Sequence, residues 1–438
     1  MSFPRYPKYK DSGIYWLGKV PEHWRVQRLK NAADICMGQS PPSEQCNLEG
    51  IGLPFLQGCA EFGTSHPTAE KHCVAPPKAA KEGDLLFSVR APVGKLNVAN
   101  MNYGIGRGLC AIRANRGNNP QYLFYWLSKT AYALDAVSTG STYEAVSVNQ
   151  VASSVALTPE AGEQLAIADF LGRETTKIDA LIAEQKHLIE LLEEKRQAVI
   201  SHAVTKGLNP NAPMKYSGVE WLGEVPAHWE LSRVKAISSF TTSGPRGWSE
   251  QISEDGALFV QSGDLNDYLG VDFEDCKRVR VSGDAEALRT RLQPGDAVVC
   301  ITGAKTGNAA VCHELPEDSY INQHLCLIRP RNNIEPGFLG LLLKSHCGQT
   351  HFALAQYGLK QGLSLENVRE TPLVLPPMKE QVEIVSYVNK VRGFMRSLIN
   401  ESHHSVEILK ERRSALISAA VTGQIDVRGL VEAEGGEQ

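Results

Sequence analysis

Residues 12–30 read SGIYWLGKVPEHWRVQRLK, and residues 217–235 read SGVEWLGEVPAHWELSRVK. Eleven of the 19 positions are identical, where average residue usage would give about one or two by chance. The shared set is Ser12/Ser217, Gly13/Gly218, Trp16/Trp221, Leu17/Leu222, Gly18/Gly223, Val20/Val225, Pro21/Pro226, His23/His228, Trp24/Trp229, Arg28/Arg233 and Lys30/Lys235. Gly and Pro set turns and large aromatics bury area, so the segment predicts a structural corner used twice. A hydrogen-bonded structural role, rather than service as ligands, is expected for the two histidines. A repeat of this kind decides the organisation before any element is assigned.

A second matched pair follows at an offset of 217: residues 163–205 and 380–422 share 17 of 43 positions, beginning with Glu163-Gln164/Glu380-Gln381. Between the matched segments the copies align only loosely. Gly83-Asp84 answers Gly295-Asp296, the run from Leu109 to Arg113 answers that from Leu325 to Arg329, and Phe55-Leu56-Gln57 echoes Phe259-Val260-Gln261. A common frame thus surrounds two divergent inserts, the pattern of two copies that share a scaffold but differ in what they read. Short apolar runs broken by Gly and Pro, such as Asp84–Val89 and Asp296–Ile301, read as strands. Gln121–Leu134 and Pro336–Lys344 read as helices.

Residues 160–204 have another character. Ile178, Leu181, Leu188, Leu192 and Val199 fall on one heptad frame interrupted by Gln185 and Lys195. In the second copy Met395, Leu398, Leu409 and Leu416 do the same, interrupted by Ser402, Ser405 and Arg412. This predicts two long amphipathic helices with coiled-coil spacing, each about 65 Å long at ~1.5 Å per residue. A lone helix cannot bury such a stripe, so each is expected to pair with the other.

The expected fold class is α+β: two pseudo-twofold-related mixed α/β domains separated by two long antiparallel coiled-coil helices. The expected division is a first domain at 1–158, a first helix at 159–207, a second domain at 208–376, a second helix at 377–426, and a disordered tail at 427–438.

Apolar residues make up 42% of the 438 and charged residues 21%, with a net charge of −4, which excludes a histone-like, wholly basic nucleic-acid binder but leaves room for local basic patches. No membrane span is expected, and the opening MSFPRYPKYKDSG lacks the apolar core of a secretory signal, so a cytoplasmic location is expected. None of the ten cysteines forms a C-x-x-C pair, and reduced, mostly buried thiols are expected. No metal site and no cofactor are expected. The stretch Thr302–Gly307 lacks the spacing of a phosphate-cradling loop, and neither G-x-S-x-G nor H-E-x-x-H occurs. The chain reads as a binding protein, not an enzyme.

Three features together resemble the specificity subunit of Type I restriction–modification systems. They are the doubled SG-x-x-WLG-x-VP-x-HW segment, the EQ-led helix ending Lys195–Ile200, and the closing run from Arg412 to Ile425. The resemblance covers almost the whole chain. It implies two target recognition domains, each followed by a long helix and each reading one half of a bipartite double-stranded DNA site. It also implies partners: two modification subunits that methylate adenine with S-adenosylmethionine, and restriction subunits that translocate and cleave with ATP and magnesium. None of these activities would reside in this chain. A stand-alone DNA-binding repressor or architectural protein is the alternative reading.

Base edges are read by Arg, Lys, Gln, Asn and Ser/Thr on loops. In the first domain the candidates are Gln39, Ser40, Gln57, Ser88, Arg90, Lys95, Arg107, Thr142 and Tyr143. In the second they are Ser243, Arg246, Gln261, Asp264, Thr302, Lys305, Gln323, Lys360 and Gln361. Residues 1–158 carry 16 basic and 11 acidic side chains, whereas 208–376 carry 15 and 20. An acidic reader is not what counterion release favours, so much of the DNA affinity is expected to come from partner subunits.

Overall fold

The structure, a computed structural model, describes residues 3–135, 145–356 and 362–432. The chain forms two compact units, one of Met1–Gln185 with His404–Gln438 and one of Lys186–His403.

Each unit opens with the predicted corner. Tyr9–Asp11 pairs antiparallel with Lys19–Pro21, and Met214–Tyr216 pairs in the same way with Glu224–Pro226. The turns need left-handed backbone at Gly13 and Gly18 (φ 71° and 66°) and at Gly218 and Gly223 (φ 77° and 64°), which only glycine adopts without strain. Trp24 and Trp229 are wholly buried behind the corners.

A four-stranded antiparallel sheet follows in each unit. In the first its order is Leu96–Val98, Leu85–Ser88, Leu109–Ala114, Ala33–Met37, and in the second Ala309–Cys312, Asp296–Cys300, Leu325–Pro330, Ser238–Ser243. The two orders are the same, and the second sheet has a bulge between Ser238 and Phe240. The central strands are buried, which explains their near-continuous apolar runs. A second sheet packs beside each, five-stranded in the first unit and four-stranded in the second, and within it one pair runs parallel: Leu53–Leu56 with Tyr103–Ile105, and Ala257–Val260 with Ser319–Ile321. Helices Pro120–Asp135 and Pro336–Lys344 lie at the predicted places.

The two loosely aligned motifs form matched buried ion pairs. Asp84 and Asp296 are each 1% exposed, and each takes a forked bond from the arginine on the neighbouring strand, Arg113 or Arg329. Each carboxylate also accepts a backbone amide, from Lys81 or Gln293.

The EQ pair has a structural function. Gln164 Oε1 accepts the Asn119 amide at 2.8 Å, and its Nε2 donates to Pro159 O at 2.9 Å and Asn118 Oδ1 at 3.1 Å. Gln381 repeats the set with the Glu335 amide and the carbonyls of Pro376 and Asn333. The glutamates hold the corner histidines: His23 Nε2 and His228 Nε2 each lie 2.8 Å from Glu163 and Glu380. Glu380 also accepts from Trp229 Nε1 at 2.9 Å.

The long helices span Ala161–Lys206 and Met378–Val421. In the first unit they run antiparallel: Arg413 Nε meets Asp179 at 2.9 Å, and beyond the second helix Arg428 Nε approaches Glu163 at 3.9 Å. Their seam keeps a heptad rhythm but differs from the predicted frame at every other position. Ile178, Met395 and Leu416 are buried, and Leu192, Val199, Leu398 and Leu409 are half-buried. Leu181 and Leu188, by contrast, are 46% and 42% exposed. The deeper positions are one residue later: Ile189 in the first helix, Ile399 and Val406 in the second. Adjacent apolar pairs such as Leu188-Ile189 satisfy two heptad frames equally, and packing selects one. The chosen frame also replaces Ser405 with Val406, which removes a polar interruption.

Residues 427–432, the described part of the segment, are ordered where a disordered tail is expected over 427–438. Val427 is wholly buried and Arg428–Glu432 is helical, fixed by the Arg428 fork on Asp426. The ten cysteines are free thiols. Burial pushes Cys110, Cys312 and Cys326 up to about 12, which keeps them protonated and inert. Among the described residues no helix is long and apolar enough to cross a membrane, and no His, Cys, Asp or Glu cluster suits a metal.

Candidate nucleic-acid interface

In the first unit the parallel strand pair ends in polar loops. Gln57 follows Leu53–Leu56 and Arg107 comes just after Tyr103–Ile105, so both lie at the same end of adjacent strands. The loops meet closely: a Cβ on Gly108 would stand 2.5 Å from the Gln57 carbonyl oxygen, so only glycine fits. Arg107 Nε donates to Ser40 Oγ at 3.1 Å, and the Gln39 amide donates to Ile105 O at 2.9 Å. Ser40 and Gln57 line a cleft of about 270 Å³ with Pro41, Ser43, Asn47 and Lys71. Gln39, Gln57, Arg90, Lys95 and Arg107 are exposed. Arg90 follows the central strand, its backbone bridged to Ala145.

Ser88 is placed differently from the reading position expected of it. It is 1% exposed, donates to Pro92 O at 2.7 Å and accepts the Lys95 amide at 2.8 Å, so it holds the turn. Thr142 and Tyr143 lie outside the described residues, as do Lys360 and Gln361.

The second unit repeats the rim with other side chains. Gln261 follows Ala257–Val260, and Gln323 follows the parallel neighbour Ser319–Ile321. Thr302 follows the central strand and is bridged to Gly362, as Arg90 is to Ala145. Thr302 Oγ1 lies 2.5 Å from His324 Nδ1, and Gln323 Nε2 lies 3.3 Å from His324 Nε2. Lys305 Nζ donates to Gly263 O at 3.1 Å, and Arg246 is exposed. Asp264 secures its loop: its carboxylate accepts the Gln261 amide at 2.7 Å and a Cys276 thiol bond at 3.4 Å, and burial raises its pKa. The Ser243 carbonyl accepts from Arg289 at 2.8 Å.

His324 and Arg289 escaped the sequence reading. The signal for His324 was its adjacency to Gln323; nothing local marks Arg289, which reaches Ser243 across 46 residues. The negative charge of the second unit gathers in another cleft, about 820 Å³, lined by Asp272, Glu274, Asp275, Glu314 and Glu317 with Arg278.

Gln57/Gln261, Arg90/Thr302 and Arg107/Gln323 therefore occupy matched places on one scaffold, and two of the three pairs differ in hydrogen-bonding chemistry. Arginine suits guanine and glutamine suits adenine in the major groove. The fold and the rim define a duplicated protein whose frame is held constant while the polar side chains on its rim vary.

The sequence profile described as the Type I restriction modification DNA specificity domain matches residues 21–193 and 228–407. The chain belongs to this family and is a DNA specificity subunit of the Type I restriction–modification kind. The putative MjaX specificity subunit of Methanocaldococcus jannaschii is 36% identical over 192 residues, 43% of this chain and 44% of that protein. The EcoBI specificity subunit of Escherichia coli is 22% identical over 456 aligned positions, covering 96% of this chain and 90% of that one. The fold matches a chain from a solved type I system (TM-score 0.73, 18% identity, 92% and 98% coverage). It also matches the HsdS subunit of Thermoanaerobacter tengcongensis (TM-score 0.54, 19% identity, 94% and 100% coverage).

Proposed function

We propose that each unit reads one half of an asymmetric bipartite duplex, with the long helices setting the unread spacer. The chain itself is non-catalytic. It scaffolds two modification subunits and the restriction subunits, which carry the S-adenosylmethionine and ATP chemistry in the cytoplasm. The observation that carries this reading is the matched rim: the same three places at the strand ends, filled by Gln57, Arg90 and Arg107 in one unit and by Gln261, Thr302 and Gln323 in the other. Unequal side chains on equal scaffolds suit an asymmetric target. The acidic wall of the second unit supports a division of labour in which the partners supply much of the affinity and this chain supplies selection.

The test is to replace residues 32–158 with the corresponding segment of another reader and map methylated adenines across the genome. One half-site should change while the other half-site and the spacer stay. A change in both halves, or in neither, overturns the reading.

A further inference from the structure

The helix seam contains one place where the two units differ sharply in charge. In the first unit Arg413 Nε meets the Asp179 carboxylate at 2.9 Å, and the buried neutral Thr175 lies one turn before Asp179. The repeat offset of 217 relates Arg413 to Arg196, Asp179 to Arg396 and Thr175 to Arg392. The second unit thus has an arginine where the first has its carboxylate, and another in place of the threonine.

These cations converge. The guanidinium carbons of Arg196 and Arg396 lie 5.5 and 4.6 Å from the centroid of the Tyr268 ring. Arg392 is only 9% exposed, and burial together with the Arg196 charge lowers its pKa. Lys344 stands close enough to feel both Arg196 and Arg392, and burial is the largest cause of its own lowered pKa. Among the described residues none of the three arginines has an ion-pair partner, while Lys344 has the largely exposed Asp267 at 3.5 Å. The buried Arg392 guanidinium is costly without a counter-charge, and half-buried Arg196 and exposed Arg396 place further positive charge beside it with only the Tyr268 ring between them.

We propose that Arg196, Arg392, Arg396 and Lys344 form an anion site that takes a phosphate group. Four cations against one exposed carboxylate suit a multiply charged tetrahedral oxyanion better than a single carboxylate, and guanidinium forks match phosphate oxygens. The phosphate is either free in solution or part of a DNA backbone. The second source rests on the DNA-reading function proposed above.

The test compares the thermal midpoint of the full chain in sodium phosphate and in sodium chloride at equal ionic strength. Phosphate at about ten times its Kd should raise the midpoint by roughly 2–4 °C. Arg396→Asp installs the carboxylate of the first unit; it should melt no lower than the parent in chloride and lose the phosphate response. If the phosphate belongs to DNA, the salt dependence of binding to an unrelated duplex becomes less steep in this variant by about 0.9. An unchanged slope, with a phosphate response present in the parent and lost in Arg396→Asp, assigns free phosphate. Equal midpoints in the two salts together with an unchanged slope overturn the site, as does a phosphate shift that survives Arg396→Asp. A domain swap that changed both half-sites, or neither, would remove the DNA reading while the thermal response still stood.

Discussion

Arg113 closes a two-pronged bond on Asp84, Nε to Oδ1 at 2.7 Å and Nη2 to Oδ2 at 2.6 Å, across neighbouring strands of the first sheet. Arg329 does the same to Asp296 at 2.9 and 2.8 Å. Each aspartate is buried while its arginine reaches solvent, so the pair ties the two central strands together at one end.

That asymmetry sets the cost of breaking it. Removing one partner of a fully buried pair costs about 3–5 kcal/mol. Arg113 keeps 43% of its side chain exposed and can be rehydrated. Asp84→Ala should therefore cost less, about 1–3 kcal/mol, read from the urea midpoint. A loss within error would show that the fork contributes nothing net.

Gln164 ties the end of the first domain, the start of a helix and the long helix together through three hydrogen bonds. Gln164→Leu keeps the volume and leaves those groups without partners inside the fold. The expected loss is about 3 kcal/mol, and Gln381→Leu should match it. A much milder effect in both would mean that water replaces the glutamine.

Ile189 and Leu188 distinguish the two heptad frames. Ile189 is 9% exposed and Leu188 is 42% exposed. Ile189→Ala should cost about 2–4 kcal/mol, and Leu188→Ala no more than about 1 kcal/mol. Equal losses in thermal denaturation would contradict the seam.

Glu370 should titrate far below an ordinary glutamate. Hydrogen bonds from Lys235 and Arg233 hold its carboxyl down to about 2. A depressed folded-state value means that its stabilising contribution is complete above the ordinary carboxylate range, about 4.3, and declines as pH falls from there toward 2. Comparing Glu370→Gln with the parent across that window should show the stability difference shrinking as pH falls. A difference independent of pH would show that the ion pair is not its source.

The frame of the molecule was legible in the sequence because its cues are local. Gly13, Gly18 and their counterparts mark turns that need left-handed backbone, and the tryptophans mark what those turns cover. The seam was legible only to within one residue, because Leu181-Ile182 and Leu188-Ile189 offer two apolar faces and only the tertiary partner chooses between them. The rim was legible where polar residues follow strands, as at Gln57 and Gln261. Ser88 looks the same as these in sequence, yet its hydroxyl is spent on Pro92 and Lys95. The role of His324, flagged only by its neighbour Gln323, became visible when folding brought Thr302 to it.

The first unit is built from both termini. The Asp426 amide donates to the Pro4 carbonyl at 2.8 Å, Arg428 stacks over Tyr6, and Gly423 leaves no room for a side chain against Pro21. The second unit is one uninterrupted stretch of chain. During synthesis the ribosome therefore completes the later unit while the earlier one still waits for its closing strap. A chain released after residue 403 would carry a complete second head and an open first one, so premature termination leaves a partly built reader instead of a half-specific one.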